Sequence, residues 1–388
     1  MDTQNTPVHL RLWNKDFWFL ALANTLFSMT VYMQLVIVYQ TLMSAGTTSY
    51  QTGLAVGMFA LGLPLLGAFC SILVQRYRRN RVCIWAMLLM AACALLPVAF
   101  STYHQESMTQ MMMGVRVATG ALFGLAQMVL TSTLVIDTCE ARQRTEANYA
   151  AAWFGRFAVS LGPLLVCILI PTLGFETSIC VSTGLTVMAA VLIGLVRFPF
   201  RAPEDHVPHA SLDRFLMPEG WLLFINLFMV TLSIGIVLST AHHAVFFSML
   251  MIGFLLALLA GKFVFVNAEL KSEAVAGLLV IGVAVIIMLT REGSHVSYIA
   301  PVLIGLGAGL IGSRFLLFYI KLSRHCQRGT SQSSFFLAWE SGISIGLGLG
   351  YFFSNKTHVL ETALILVSLA LILYVIFTHS WYLKNKNR

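Results

Sequence analysis

Four ionisable side chains lie inside long apolar runs of this 388-residue sequence: Arg116, Arg156, Arg314 and Glu340. An arginine at the centre of a membrane helix costs about 2.5 to 3.5 kcal/mol on insertion scales. Ionisable residues at such positions therefore usually face a partner, a water-filled cavity or a ligand. These four are the first candidates for solute binding and proton transfer.

The three arginines have different surroundings in the sequence. Arg116 precedes Gln127 on one helical face, and it could meet an anion, take part in proton coupling, or only hold helices together through backbone carbonyls. Arg156 is interpreted as a cavity residue, with a side chain that reaches water, or a structural pair, as the alternatives. Arg314 lies near a helix end and is interpreted as structural.

Glu340 is the only carboxylate well inside a predicted span, and Ser344 and Tyr351 follow it on the same helical face. A carboxylate in this position can bind a proton on one side of a membrane and release it on the other. Glu340 is therefore the predicted proton-coupling residue. The alternative is a static ion pair with Arg314 on the preceding helix.

The composition predicts a polytopic membrane protein. Residues of hydrophobic type make up 58% of the chain and charged residues only 10%, which is too few to cover a water-facing surface. The net charge of +8 comes from basic residues in short loops, so no nucleic-acid partner is expected. The seven cysteines form no CxxC motif and no phosphate-cradling loop is present, so we expect no metal and no cofactor.

A membrane span needs about 20 mostly apolar residues. Twelve helices are predicted, near 16–42, 51–74, 82–101, 108–136, 147–172, 177–197, 220–241, 244–266, 274–290, 296–320, 333–353 and 360–381. With both termini on one side, nineteen of the 24 Lys and Arg residues lie on that side, three lie within helices, and only Arg291 and Lys356 lie opposite. Because basic loops stay in the cytoplasm, both termini are predicted to be cytoplasmic.

The longest polar segment divides the chain into two sets of six helices. The predicted domains are an N-terminal bundle at 1–197, a cytoplasmic central loop at 198–219, and a C-terminal bundle at 220–388. A weak internal repeat supports this division, since Trp153 corresponds to Trp339 at an offset of 186. Parallel six-helix repeats are typical of one transporter architecture.

Several motifs resemble those of the major facilitator superfamily, across essentially the whole chain. The segment 71–81 keeps the basic residues of the family's loop between helices two and three, but Ser71, Gln75 and Arg78 replace its glycine, aspartate and second glycine. Arg116 with Gly120 matches the helix-four pattern. Gly162-Pro163 keeps part of the antiporter-like pattern of helix five, and the segment 137–144 is similar to a further cytoplasmic connection.

The resemblance implies an all-α fold of twelve transmembrane helices, with a cavity lined by helices one, four, seven and ten. It adds further candidates to Arg116 and Arg156 for the substrate cavity: Asn24, Tyr32, Gln34, Gln127 and Asn226. Hydrogen bonding between helices is the alternative for each of these neutral residues. A cytoplasmic gate is expected at Gln75, Arg76, Arg79, Asp137 and Arg144, although Gln75 removes the family's aspartate from the ionic latch.

The function predicted from these features is secondary active transport by alternating access, most simply driven by protons. The three membrane arginines favour a small anionic, zwitterionic or amphiphilic solute, and the partial antiporter-like pattern favours export. The alternatives are a lipid or lysolipid translocator of the same fold, and a non-transporting sensor or membrane enzyme. We expect a monomer in the inner membrane of a bacterium, with the solute, membrane lipids and a coupling ion as partners.

Overall fold

The computed structural model describes residues 11–99, 105–198, 207–266, 268–324, 327–353 and 355–386. Twelve helices in this part of the chain are long and apolar enough to cross a membrane, as the sequence predicts. We label them α1 Lys15–Ser44, α2 Ser49–Gly62 with its continuation Cys70–Arg76, α3 Arg79–Ala99, α4 Gln105–Val129 with its continuation to Asp137, α5 Arg144–Leu173, α6 Phe175–Leu195, α7 Trp221–Leu238, α8 Ala244–Phe263, α9 Leu270–Thr290, α10 Ser294–Leu322, α11 Arg328–Phe352 and α12 Lys356–Leu373 with its continuation to Asn385.

The ends of the helices follow from local chemistry. Asn14 caps α1 by accepting a hydrogen bond from the backbone N–H of Phe17 at 2.8 Å. Thr48 and Gln51 form a reciprocal capping box at the start of α2. Gly174 separates α5 from α6 with a φ of 79°, a backbone conformation that is costly for residues with a side chain. These signals place short turns between long apolar runs.

Three predicted helix starts lie four or five residues too late, and one of these is α12, which begins at Lys356 rather than near 360. Helix α9 begins at Leu270 rather than near 274, so that Glu273 falls in its first turn and is buried. Helix α11 begins at Arg328 rather than near 333, because the polar residues Thr330 and Gln332 are buried against protein instead of lipid. Average hydropathy misses such turns, since it treats every polar residue as a loop residue.

We call α1 to α6 the first set of helices and α7 to α12 the second set; the two sets are in contact along α2 with α11 and α5 with α8. We call the face where α1 begins and α12 ends the termini face, and the other the opposite face. Near the opposite face a side chain at Gly53 would meet the backbone of Gly348 and Phe352 at 2.5 to 2.9 Å, so the two backbones approach closely. Ser160 of α5 donates a hydrogen bond to the carbonyl of Phe247 in α8 at 2.5 Å. Residues 199–206 of the predicted central loop lie outside the described residues.

Candidate functional site

Arg156 lies near the middle of α5 and reaches across to the second set of helices. Its side chain is buried, and its Nη1 donates a hydrogen bond to Ser313 Oγ of α10 at 2.7 Å. The guanidinium carbon lies 4.7 Å from the ring centroid of Trp153, 5.9 Å from that of Phe335 and 6.0 Å from that of Trp339. These distances are within the range of cation–π attraction.

The remaining donors of this guanidinium are unused. Within the described residues, Nε and Nη2 of Arg156 have no hydrogen-bond partner, and neither has Trp153 Nε1. A side chain at Gly312 would lie 2.9 Å from Arg156 Nε, so the glycine makes the room that the guanidinium occupies. The guanidinium of Arg156 is thus surrounded by an aromatic box, formed by the rings of Trp153, Phe335 and Trp339. Its Nε and Nη2 atoms are able to bind an anionic group.

A hydrogen bond between Tyr32 and Glu340 joins the two sets of helices near the middle of α1 and α11. The Tyr32 hydroxyl donates to Glu340 Oε2 at 2.9 Å, and both side chains are buried. Ser344 lies one turn further along α11, and its hydroxyl has no partner within the described part of the chain. Glu340 directly follows Trp339 in sequence, and the ring of Trp339 contacts the guanidinium of Arg156. The Glu340 carboxylate and the Arg156 cation therefore belong to one region of the protein.

The alternative pairing of Glu340 with Arg314 is wrong. Arg314 forms an ion pair with Glu273 of α9 instead. Glu273 is a buried carboxylate that sequence analysis placed outside the spans, because α9 was predicted to begin after it. Arg314 is therefore paired with a carboxylate on α9 and not with Glu340.

Arg116 lies within the first set of helices rather than between the two sets. It is 1% exposed, and none of its three guanidinium nitrogens has a hydrogen-bond partner in the described residues. Its contact with an aromatic ring is to Phe59 of α2, 4.4 Å from the ring centroid. Arg116 and Gln34 also line a cavity of about 30 Å³ between α1, α3, α4 and α6.

The neutral candidates form hydrogen bonds between helices. Gln127 donates to Asn24 Oδ1 at 2.6 Å, and Asn24 donates to the carbonyl of Ala151 in α5 at 2.8 Å. Asn226 donates to the carbonyl of Ala370 in α12 at 2.9 Å. These contacts agree with the alternative interpretation of Asn24, Gln127 and Asn226, whereas Tyr32 is the neutral candidate that lies beside Glu340.

The gate candidates lie at the termini face. Arg79 forms an ion pair with Asp137 at the end of α4, and thereby ties the α2–α3 connection to α4 inside the first set of helices. Gln75 and Arg144 are partly buried, and Arg76 is exposed. Contacts of α4 with the second set lie before Asp137 in the chain: Ser132 lies against Gly329, and the ring of Phe123 lies 5.7 Å from that of Phe336 in α11.

Sequence analysis missed Glu273, Ser313 and Phe335. Ser313 directly precedes Arg314 and Phe335 precedes Trp339 by one turn, so their place on candidate helices was the available signal. Their contact with Arg156 depends on how α5 packs against α10 and α11, which no local pattern encodes. Within the described residues, no group of three or more His, Cys, Asp or Glu side chains could hold a metal ion.

Comparison with known proteins identifies the architecture. The family model of the Major Facilitator Superfamily matches residues 20–347. No curated protein sequence matches this chain significantly.

Among solved structures, the nucleoside transporter NupG is similar at 11% identity and a TM-score of 0.66, over 94% of this chain and 99% of that one. The transporter FucP in its outward conformation is similar at 16% identity and a TM-score of 0.66, over 96% and 99%. The POT family transporter PepTSo has 13% identity and a TM-score of 0.70, over 96% and 99%. At such identities the likeness shows the fold alone.

Proposed function

Since the chain belongs to the Major Facilitator Superfamily, and is thus a transporter rather than an enzyme, we propose that it moves a small organic anion or zwitterion by secondary active transport. In this fold the two sets of six helices rock about a central site, which opens to each side of the membrane in turn. The proposal concerns the solute, the site that binds it and the ion that drives the movement.

The proposed solute class rests on the guanidinium of Arg156, in which Nη1 forms a hydrogen bond while Nε and Nη2 have no partner within the described residues. A buried charge without full compensation is costly, and two free N–H donors on one planar group match a carboxylate or phosphate. The rings of Trp153, Phe335 and Trp339 would cover an apolar part of the same solute. A solute with an anionic head and an apolar body satisfies both halves of this site.

Proton coupling is proposed at Glu340. Its hydrogen bond with Tyr32 crosses between the two sets of helices, so this contact must change when the sets rock apart. A carboxylate whose partner leaves during each cycle meets different surroundings in the two states, which lets proton binding follow the movement.

The orientation and direction belong to the same proposal. The termini face carries most of the basic residues, and it is proposed to be the cytoplasmic face of a bacterial inner membrane. The Gly162-Pro163 pattern in α5 supports export. The protein is proposed to work as a monomer, because each chain contains both sets of helices that form the site.

A ligand screen by thermal stability tests the solute class. A solute that binds the folded state raises the melting temperature, with a free-energy gain of RT ln(1 + [L]/Kd). We expect organic anions or zwitterions to stabilise the purified protein, and cationic drugs and sugars to have no effect. The Arg156→Gln variant should lose this stabilisation.

The matched control is Arg324→Gln, which removes an exposed arginine far from the site and should keep the stabilisation. An anion that stabilises Arg156→Gln as strongly as the unaltered protein would place the site elsewhere. Stabilisation by lysolipids alone would favour the lipid translocator instead.

A further inference from the structure

A cavity of about 880 Å³ opens at the opposite face, where the loops of the second set of helices meet the end of α1. We call it the vestibule. Its lining includes Tyr39 and Met43 of α1, the connection from α7 to α8, the connection from α9 to α10, and the start of α12. Its size is that of a site for a drug-sized molecule.

The vestibule gathers the basic residues of this face. Arg291 and Lys356 are the two Lys or Arg residues that the sequence places there, and both line the vestibule. Neither forms an ion pair within the described residues, and Glu292 is the acidic residue in the lining. Basic residues are sparse on the outer side of membrane proteins, so their convergence on one cavity favours an anionic occupant.

Helix orientation adds to this positive charge. Helices α8, α10 and α12 all begin at the vestibule, and residues 243, 293 and 357 at their first turns line it. At α8 the N-cap His243 makes no side-chain capping hydrogen bond, and at α10 the N-cap Gly293 has no side chain, whereas Asn355 caps α12 by accepting from the backbone N–H of Thr357 at 2.9 Å. The positive ends of three helix dipoles, with uncapped backbone N–H groups at α8 and α10, thus reinforce the two basic side chains.

The histidine His242 in the lining contributes little charge of its own near neutral pH. The pKa of His242 lies below its ordinary value, because burial and then the neighbouring His243 and Lys356 disfavour its charged form. Arg291 and Lys356 therefore carry the permanent charge of the vestibule.

Aromatic rings separate the vestibule from the middle of the protein. Tyr39 stacks on Tyr351 of α11 with ring centroids 4.1 Å apart, and on His242 at 5.9 Å. Tyr39 lies seven residues beyond Tyr32 on α1, which is about 10 Å along a helix. The stacked rings of Tyr39 and Tyr351 thus lie between the vestibule and the Tyr32–Glu340 contact along α1 and α11.

We propose that the vestibule binds organic anions, as the last station of the solute before it leaves at the opposite face. The inference rests on the proposed function and adds a second, outer site to the one at Arg156. Exposed charges bind weakly in water, and weak binding suits release after the solute has left the buried guanidinium. The rings of Tyr39 and Tyr351 contact the apolar part of the solute.

Saturation-transfer NMR tests the vestibule with the protein in nanodiscs of phosphatidylcholine. The probes are benzoate, neutral benzyl alcohol and cationic benzylamine, which share one ring and differ in charge. We expect benzoate to bind most tightly. Its Kd should rise about tenfold in Arg291→Gln/Lys356→Gln, since two exposed charge contacts are lost, and fall in Glu292→Gln, which removes the opposing charge.

The matched control is Lys321→Gln/Arg324→Gln, which removes two exposed basic residues at the termini face and should leave the Kd unchanged. Benzylamine binding as tightly as benzoate, or an unchanged Kd in Arg291→Gln/Lys356→Gln, would overturn the proposal. So would the complete loss of benzoate binding in Arg156→Gln, because the signal would then come from the buried site.

Two further arms separate the sources of the anion and the two proposals. Nanodiscs that contain phosphatidylglycerol should leave the benzoate Kd unchanged if the occupant is a soluble anion. The contrary outcome is that phosphatidylglycerol raises the benzoate Kd, and only in protein that keeps Arg291 and Lys356. That result would assign the vestibule to a lipid headgroup and overturn the proposed role in solute release. Failure at the vestibule leaves the stabilisation through Arg156 intact, so the two proposals fail separately.

Discussion

At the scale of single residues, the three arginines inside the membrane differ in how their charge is compensated. Arg314 has a carboxylate partner in Glu273. Arg156 has one hydroxyl, that of Ser313, and three aromatic rings. The guanidinium of Arg116 contacts the ring of Phe59 and forms no hydrogen bond within the described residues. Because an uncompensated buried charge is the most costly case, these three residues should respond differently to the same substitution.

Arg116→Met should raise the melting temperature of the purified protein, because it replaces an uncompensated charge by an apolar chain of similar length. Replacing buried charges with apolar residues is often stabilising, by about 1 to 4 kcal/mol. Arg314→Met is the matched comparison, and it should lower the melting temperature because it leaves Glu273 unpaired, which costs about 3 to 5 kcal/mol. Equal destabilisation by both variants would show that Arg116 has a partner, such as a bound anion.

At the scale of helices, the contact between α2 and α11 joins the two sets near the opposite face. Gly53 and Gly348 let the two backbones meet, and Tyr50 packs on Phe352 at the outer end with ring centroids 5.0 Å apart. Gly57 lies four residues after Gly53, and the structure places Gly348 against both of these small residues. A larger side chain at this point must separate the helices.

Gly53→Val should therefore open the opposite face and expose the middle of α11. Opening can be measured as faster labelling of Ser344→Cys by a membrane-impermeant maleimide, in a background with the exposed Cys180 replaced by serine. We expect labelling to accelerate by about tenfold or more, since the clash is with backbone that cannot move aside alone. Gly114→Val is the matched control, because a side chain there meets nothing within 4 Å. Equal labelling in the two variants would contradict a closing role for the α2–α11 contact.

At the scale of the whole molecule, contacts between the two sets of helices occur at three depths. Phe123 and Phe336 meet towards the termini face, Tyr32 and Glu340 meet in the middle, and Tyr39 stacks on Tyr351 towards the opposite face. Rocking of the two sets must break one end of this series while keeping the other. The middle contact lies between the two ends, and it is the contact at which we propose coupling to a proton.

Glu340→Gln should abolish accumulation of the stabilising solute driven by a pH gradient in vesicles, yet preserve exchange of solute at equal concentrations. The amide cannot carry a proton, but it keeps the shape and a hydrogen-bond acceptor for Tyr32. Tyr32→Phe is the matched variant, which leaves the carboxylate but removes the partner whose departure changes its surroundings, so gradient-driven accumulation should be weakened without being abolished. Normal pH-driven accumulation by Glu340→Gln would remove Glu340 from the coupling mechanism.

The sequence by itself determined the twelve helices, the distribution of charge between the two faces and the resemblance to the family. These properties are local, because the hydropathy of about 20 residues decides whether a segment can span a membrane. Arg116, Arg156 and Glu340 were found for the same reason, since a charge within an apolar run stands out without any knowledge of packing. Glu273 was missed because it lies where hydropathy changes gradually at the start of α9.

Only the tertiary structure decided which of these charges meet. Tyr32 and Glu340 are separated by 308 residues and Arg156 and Ser313 by 157, so no window of sequence contains either pair. The replacement of the Glu340–Arg314 pair by Glu273–Arg314, and the meeting of Arg291 with Lys356 in one cavity, depend on the rotation of each helix about its own axis. That rotation is set by packing against several neighbours at once, and for this reason the tertiary structure was needed to pair these residues.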